Sequence, residues 1–290
     1  MKAILIVNPK SGRYSIKKDL YLINKLKNKN IDIKEYKLGE TENIKDIIHK
    51  IKYEEYPVLL FACGDGTINT ACNALLDRED YNKFKIGIIP FGTANVLANE
   101  LNTNKIDNSI KAIVNGKTKK VCLGELYSKE QFEKYFTLMA SAGFDSMVVY
   151  NVNFKIKKFF GKFAYIISLF NTLIKRNFQE IETIIDGKIY KNFLTCASVG
   201  KYYGGKIAIT NADISENNFK VVIVKKFSIL SILKYLFFKK SKNIEVITTN
   251  NLKIESKYDK YPLQIDGDYY CNLPVEIKIV DKYLNMFYYN

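Results

Sequence analysis

Hydrophobic and polar positions follow two different rhythms along this chain. Up to about Thr118, apolar runs at Ala3–Val7, Ile31–Leu38, Val58–Ala62 and Lys85–Ile89 each end in turn residues and predict strands. Between them, Ser15–Lys29, Thr41–Lys52 and Ile68–Leu76 repeat apolar positions at helical spacing. Strand and helix in alternation predict a βαβ domain with a mostly parallel sheet, whose ligands sit beyond the carboxyl ends of the strands. From Thr118 onward the rhythm shortens to β-branched and aromatic segments: Tyr135–Met139, Ile181–Ile185, Phe193–Val199, Phe219–Val224, Ile244–Thr249, Leu252–Ser256 and Val275–Val280. Many short, closely spaced strands predict a β-sandwich or barrel. Two helical insertions, around Phe159–Lys175 and Ser228–Lys239, interrupt them. The expected fold class is therefore α/β plus mainly-β, divided at 1–120 and 121–280.

Composition alters this picture in two places. The net charge of +15 admits an acidic partner, such as nucleic acid, an anionic membrane or a polyphosphate. Of the 45 basic residues only Arg13, Arg78 and Arg176 are arginines, and a general lysine bias explains the charge as well as a binding surface does. Base-edge recognition would want arginine forks, so no nucleic-acid partner is expected. The five cysteines, Cys63, Cys72, Cys122, Cys196 and Cys271, are scattered and contain no C-x-x-C, which predicts a reducing, cytoplasmic setting without a zinc site. The apolar stretches Phe159–Ile174 and Phe227–Phe238 are broken by Lys162 and Lys234, short of the roughly 18–20 residues a membrane span needs.

Candidate chemistry lies at three strand ends. Asn8-Pro9-Lys10-Ser11-Gly12 follows the first strand and combines a close-approach glycine with a hydroxyl and an ammonium for phosphate oxygens. Gly64-Asp65-Gly66-Thr67 follows the third, with Ile68-Asn69-Thr70 opening the next helix. Its glycines let amides aim at a phosphate, Asp65 is placed to organise magnesium, and Thr67 to cap the helix. Pro90-Phe91-Gly92-Thr93-Ala94-Asn95 follows the fourth. Any one of these alone reads equally well as a plain turn; three at consecutive strand ends point to a nucleotide-phosphate site. No G-x-x-x-x-G-K-[ST] is present, which excludes a P-loop. The sole histidine, His49, sits on a lysine-rich helix away from these turns, so proton transfer falls to carboxylates.

Together, N-P-x-S-G, G-D-G-T and P-x-G-T-x-N resemble the catalytic domain of diacylglycerol, sphingosine and ceramide kinases and their bacterial lipid-kinase relatives. Further along, Ala142-Gly143-Phe144-Asp145, Lys201-Tyr202-Tyr203-Gly204-Gly205 and Ile265-Asp266-Gly267-Asp268 resemble that family's G-x-D, glycine-pair and D-G-E segments. The resemblance implies an N-terminal α/β domain related to NAD kinase and phosphofructokinase, a C-terminal β-sandwich, and a final strand at about 281–290 returning to the first domain, with substrate in the cleft. It implies that ATP and Mg2+ serve a kinase acting on the hydroxyl of a membrane lipid, diacylglycerol, a related lipid alcohol or a sphingoid base. By position, Asn8, Pro9, Lys10, Ser11, Gly12, Gly64, Asp65, Gly66, Thr67, Asn69, Thr70 and Thr93 hold ATP; Asp65 carries the magnesium-linked role; Asp268 or Asp266 is the base. Asp145 is a candidate for the lipid head group.

Three departures matter. Cys63 stands for a glycine, Asp268 for a glutamate, and Glu216-Asn217 for an Asp-Gly in a loop that holds a structural magnesium in some members, here through Asp213, Glu216 and Asn218. The aromatic and lysine-rich stretches Phe154–Phe163 and Lys225–Lys240 predict transient contact with an anionic membrane, peripheral at the inner face. Edge strands leave a homodimer open. Two other readings compete: a kinase of a soluble substrate resembling NAD kinase, and a non-catalytic nucleotide or lipid sensor on the same fold.

Overall fold

The structure is a computed structural model and describes residues 1–39, 43–151 and 178–290. The chain divides into two units, Met1–Val121 with Lys282–Asn290, and Cys122–Asp281.

In the first unit, β1 (Lys2–Val7), β2 (Asp32–Lys37), β3 (Val58–Cys63) and β4 (Lys85–Pro90) are all parallel, in the order β2-β1-β3-β4. The central β3, Val-Leu-Leu-Phe-Ala-Cys, is buried throughout, as a parallel strand covered on both faces must be. The last strand of the chain, numbered β18 and running Val275–Phe287, enters this unit and pairs Asn285 and Met286 in parallel with Lys85 and Ile86. Helices α1 (Ile16–Lys27) and α5 (Ile106–Asn115) bury Leu22, Leu26, Ile110 and Ile113 against Leu5, Leu60 and Ile89. Ser15 caps α1 by accepting from Lys18 N, and Asn43 caps α2 (Ile44–Lys50) by accepting from Asp46 N. The expected start of that helix at Thr41 lies outside the described residues. After β3 comes α3 (Asp65–Leu76), and after β4 the short α4 (Val96–Glu100).

The second unit is a pair of antiparallel sheets. One runs β14-β13-β10-β7-β16-β17 and contains Ile244–Thr249, Phe219–Val224, Leu194–Ser198, Met139–Gly143, Pro262–Ile265 and Asp268–Asn272. In the other, β18 at Val275–Lys278 pairs with β15 (Asn251–Glu255), which pairs with β8 (Ile181–Ile185), which pairs with β9 (Lys188–Asn192). Strand β5 (Thr118–Ser128) makes a hairpin with β6 (Gln131–Phe136). Alternate residues of the two sheets, among them Ala142, Ala197, Val221 and Leu263 from one and Ile181, Leu252, Ile254 and Ile277 from the other, form one core. This is the sandwich that the close spacing of strands predicts. The remaining elements are the small hairpin β11–β12 (Tyr202–Tyr203 and Ile207–Ala208) and the helices α6 (Phe144–Tyr150) and α7 (Ile229–Phe238). The expected insertion Phe159–Lys175 and the stretch Phe154–Phe163 lie outside the described residues.

Two expectations need correcting. The strand expected over Tyr135–Met139 is broken at Thr137–Leu138, where backbone N–H groups turn from a ladder to a carboxylate, that of Asp266. The helix expected from Ile68 begins at Asp65, because Gly64, extended at φ −100° and ψ 170°, already serves as its N-cap. No described helix is long and apolar enough to cross a membrane.

Candidate active site

The order β2-β1-β3-β4 places a topological switch point between β1 and β3, since the chain leaves β1 toward one side and later adds β3 on the other. Loops beyond the carboxyl ends of those two strands are where open parallel sheets bind ligands. Asn8–Gly12 and Gly64–Thr67 are those loops.

Hydrogen bonds lock the three turns together. Asn8 Nδ2 donates to Thr67 Oγ1 at 2.8 Å, and Lys10 N donates back to Asn8 Oδ1 at 2.9 Å. Thr67 therefore does not cap α3 as expected, but joins two loops. Gly64 and Gly92 meet backbone to backbone: a Cβ on Gly92 would lie 2.5 Å from Gly64 Cα and 2.7 Å from Asn95 Oδ1. Asn95 takes the left-handed conformation (φ 52°, ψ 50°) and donates from Nδ2 to Gly92 O at 2.8 Å. Likewise, a Cβ on Gly12 would lie 2.5 Å from Thr93 Oγ1. Asp65 Oδ1 accepts from Leu97 N at 3.2 Å, which ties the start of α3 to the start of α4.

One residue of this cluster is absent from the expected set. Arg13 donates from its guanidinium to Thr93 O at 3.1 Å and from its backbone to Phe91 O at 2.8 Å, clamping the first turn to the third. Its signal in the sequence is rarity: an arginine directly after Gly12 in a chain that otherwise uses lysine. Conversely, Asn69 is buried within α3, where its side chain accepts from Asn73 Nδ2, and Thr70 donates back to Gly66 O within the helix. Both side chains are thus engaged within α3 itself.

Two features of the cradle suit an anion. Gly64 has no side chain to cap the first-turn N–H groups of α3, and that twelve-residue helix directs the positive end of its dipole there. Ser11 Oγ is buried and has no hydrogen-bond partner in the structure, a donor that a phosphate oxygen would satisfy.

In the second unit, Asp266 and Gly267 form a two-residue hairpin turn between β16 and β17, both with positive φ (51° and 90°). The Asp266 carboxylate accepts four hydrogen bonds, from Thr137 N, Thr137 Oγ1, Leu138 N and Met139 N, at 2.9 to 3.0 Å. Burial pushes its pKa upward and these donors pull it back. With both oxygens engaged, Asp266 braces the turn. Asp268, the first residue of β17, is exposed.

Asp145 is buried in the first turn of α6, against the face of β7 and β16 that Ser141 and Gln264 occupy, instead of lying in an open turn. Its carboxylate accepts from Ser141 Oγ, from Tyr203 OH at 3.0 Å, from Ser146 N at 2.7 Å and from Gln264 Nε2 at 3.4 Å. Gln264 Oε1 in turn accepts from Gly267 N at 2.8 Å, so Asp145 is joined through one amide to the turn that carries Asp268. Burial raises the Asp145 pKa against the pull of those donors.

The loop Asp213–Asn218 folds on itself. Ser215 donates to Asp213 Oδ1 from both N and Oγ, and Glu216 pairs with Lys220 at 3.8 Å. Asn218 Oδ1 is buried without a hydrogen-bond partner. No group of three or more His, Cys, Asp or Glu side chains is assembled for a metal among the described residues.

An open parallel sheet with glycine turns locked at its switch point, carried in one chain with an antiparallel sandwich, defines an α/β plus β-sandwich protein with an anion cradle. Residues 2–126 match the model of the diacylglycerol kinase catalytic domain, and residues 139–288 match that of the YegS C-terminal NAD kinase beta sandwich-like domain. The chain belongs to this diacylglycerol-kinase-like family, and its first domain is a kinase domain, which implies use of ATP. A diacylglycerol kinase of Staphylococcus aureus strain MRSA252 is 26% identical over 299 residues, covering 99% of this chain and 92% of the relative. That of strain JH9 matches to the same extent. The crystal structure of a Bacillus anthracis Sterne diacylglycerol kinase shares the fold, with a TM-score of 0.74 at 19% identity, over 99% of this chain and 96% of that one.

Proposed function

We propose that this protein transfers the γ-phosphate of ATP to the hydroxyl of a membrane lipid, with diacylglycerol as the first acceptor to test. The observation that carries the reading is the cradle at the switch point, where the uncapped start of α3 and the partnerless Ser11 hydroxyl face one set of locked glycine turns. Such a site suits phosphoryl groups. The S. aureus relatives named diacylglycerol kinases support the choice of acceptor.

In this mechanism Asn8–Gly12, Gly64–Thr67 and Thr93 bind and orient the phosphates, with Lys10 contributing charge. Asp268 accepts the proton of the lipid hydroxyl as its oxygen forms a bond to the γ-phosphorus and the bond to the β-phosphate oxygen breaks, releasing ADP. Asp266 holds the Asp268 turn. Mg2+, when bound, neutralises charge on the phosphates, and Asp65, a hard carboxylate at the cradle, fits the role of its protein ligand. The orphaned Asn218 Oδ1, with Glu216 and Asp213 beside it in sequence, fits a second cation of structural purpose.

The test is transfer from labelled ATP with Mg2+ to diacylglycerol, a sphingoid base and NAD+, the lipids presented in mixed micelles. Wild type, Asp65→Asn and Asp268→Asn are compared. A labelled lipid that vanishes in both variants establishes the reading and its acceptor; labelled NAD+ would establish the soluble-substrate kinase instead. ATP binding without turnover on any acceptor would leave a sensor.

A further inference from the structure

Helix α7 is oriented against the usual rule. A surface helix normally turns its apolar stripe inward and its charged face to water. Here the inner side is held by polar contacts: Tyr235 OH donates to Ile209 O at 2.6 Å, Asn243 Nδ2 donates to Ser231 Oγ at 2.8 Å, and Ser228 caps the first turn. The outer side carries Ile229, Leu230, Leu233, Phe237 and Phe238, which are 52%, 76%, 46%, 79% and 72% exposed. Five large apolar side chains on one short helix exceed the scattered single exposures normal for a protein surface.

The surrounding charge identifies what would cover them. Between Lys225 and Asn243 there are six lysines and no acidic residue. At the C-terminal end of the helix, a hollow of about 480 Å³ is lined by Lys234, Tyr235, Lys239, Lys240, Lys242 and Ile244. A protein partner of ordinary composition, or a second copy of this lysine-rich chain, would have to meet that charge with carboxylates. An anionic bilayer offers both an apolar interior for the leucine and phenylalanine side chains and phosphates for the ring of lysines.

We propose that α7 is a membrane-docking element: its outer face enters the headgroup and acyl boundary of an anionic phospholipid surface, and the lysine-lined hollow takes lipid phosphate. This goes beyond the kinase reading, since it does not depend on which hydroxyl is phosphorylated. Aromatic anchors at the interface and lysines reaching phosphate are the two elements such docking needs.

The experiment uses the full chain with vesicles of phosphatidylcholine alone, or of phosphatidylcholine and phosphatidylglycerol in equal parts. Because the chain contains no tryptophan, Phe237→Trp supplies a single reporter. Its emission should shift to the blue with the anionic vesicles only, and sedimentation should follow it. Leu230→Ser with Phe237→Ser should weaken binding by more than tenfold. Lys240→Gln with Lys242→Gln should weaken it about fivefold per lysine and flatten its salt dependence. These residues are exposed, so all variants should keep turnover in detergent micelles, which separates a failure of docking from a failure of the kinase reading. Absence of binding to anionic vesicles, binding undiminished by the α7 variants, or a dimer that those variants dissolve would each overturn the proposal.

Discussion

Two aspartates separated by one glycine carry different duties, and their surroundings say which. Asp266 accepts four hydrogen bonds, while Asp268 stands exposed at the start of β17. Asp266→Asn keeps one acceptor oxygen but turns an NH2 group toward donors, so it should cost about 3 kcal/mol on hydrogen-bond magnitudes for charged acceptors. Asp268→Asn should change stability by about 0.5 kcal/mol or less and abolish turnover. Urea denaturation beside the kinase assay separates the two; equal destabilisation would contradict the division. Asp145 adds a pH signature. Its folded-state pKa is raised by burial, so the stability it lends is complete below the ordinary carboxylate value of about 3.9 and is lost as pH rises through the raised folded-state value. The stability advantage of wild type over Asp145→Asn should therefore shrink over the interval in which pH rises above about 4. An advantage that grows over that interval would show that the four donors outweigh burial.

At the scale of elements, the turns of the cradle act as one unit because two of them touch through backbone. Gly92→Ala would place a Cβ 2.5 Å from Gly64 Cα, where no flexible side chain can give way. The variant should lose about 1–3 kcal/mol of stability and bind an ATP analogue at least tenfold more weakly, measured by calorimetry. Unchanged nucleotide affinity would detach the third turn from the site. The parallel strands were legible because β1, β3 and β4 are near-continuous apolar runs, and the turns because glycines cluster at their ends. Strands β9 and β17 were not read, although each follows an Asp-Gly pair, Asp186-Gly187 and Asp266-Gly267, in the positive-φ geometry of a tight hairpin. In the second case one Asp-Gly pair serves both as a tight turn and as part of the candidate chemistry. The β5–β6 turn at Lys129-Glu130 has the same positive φ at both residues with no glycine or asparagine to announce it. The outward apolar face of α7 agrees with the membrane-facing character that the aromatic and lysine mixture of Lys225–Lys240 suggests, although periodicity alone gives the stripe and not its direction.

At the scale of the whole molecule, the chain leaves the first unit at Val121 and returns to it at Lys282, so its last nine residues complete a domain begun at the other terminus. Leu284, Met286 and Phe287 are fully or almost fully buried there. Tyr289 N donates to Leu101 O at 2.9 Å, and Tyr289 O accepts from Asn102 Nδ2 at 3.0 Å. Three buried side chains at about 1.5–3 kcal/mol each approach the whole stability of a typical domain, roughly 5–15 kcal/mol. A chain ending at Asp281 keeps every strand of the sandwich core but strips β4 of its neighbour. Its first unit should therefore lose hydrogen-exchange protection over Met1–Val121 and lose ATP-analogue binding, while Cys122–Asp281 stays protected. If Met1–Val121 stayed protected and bound nucleotide, the returning strand would be an attachment to the first unit and not part of what holds it folded.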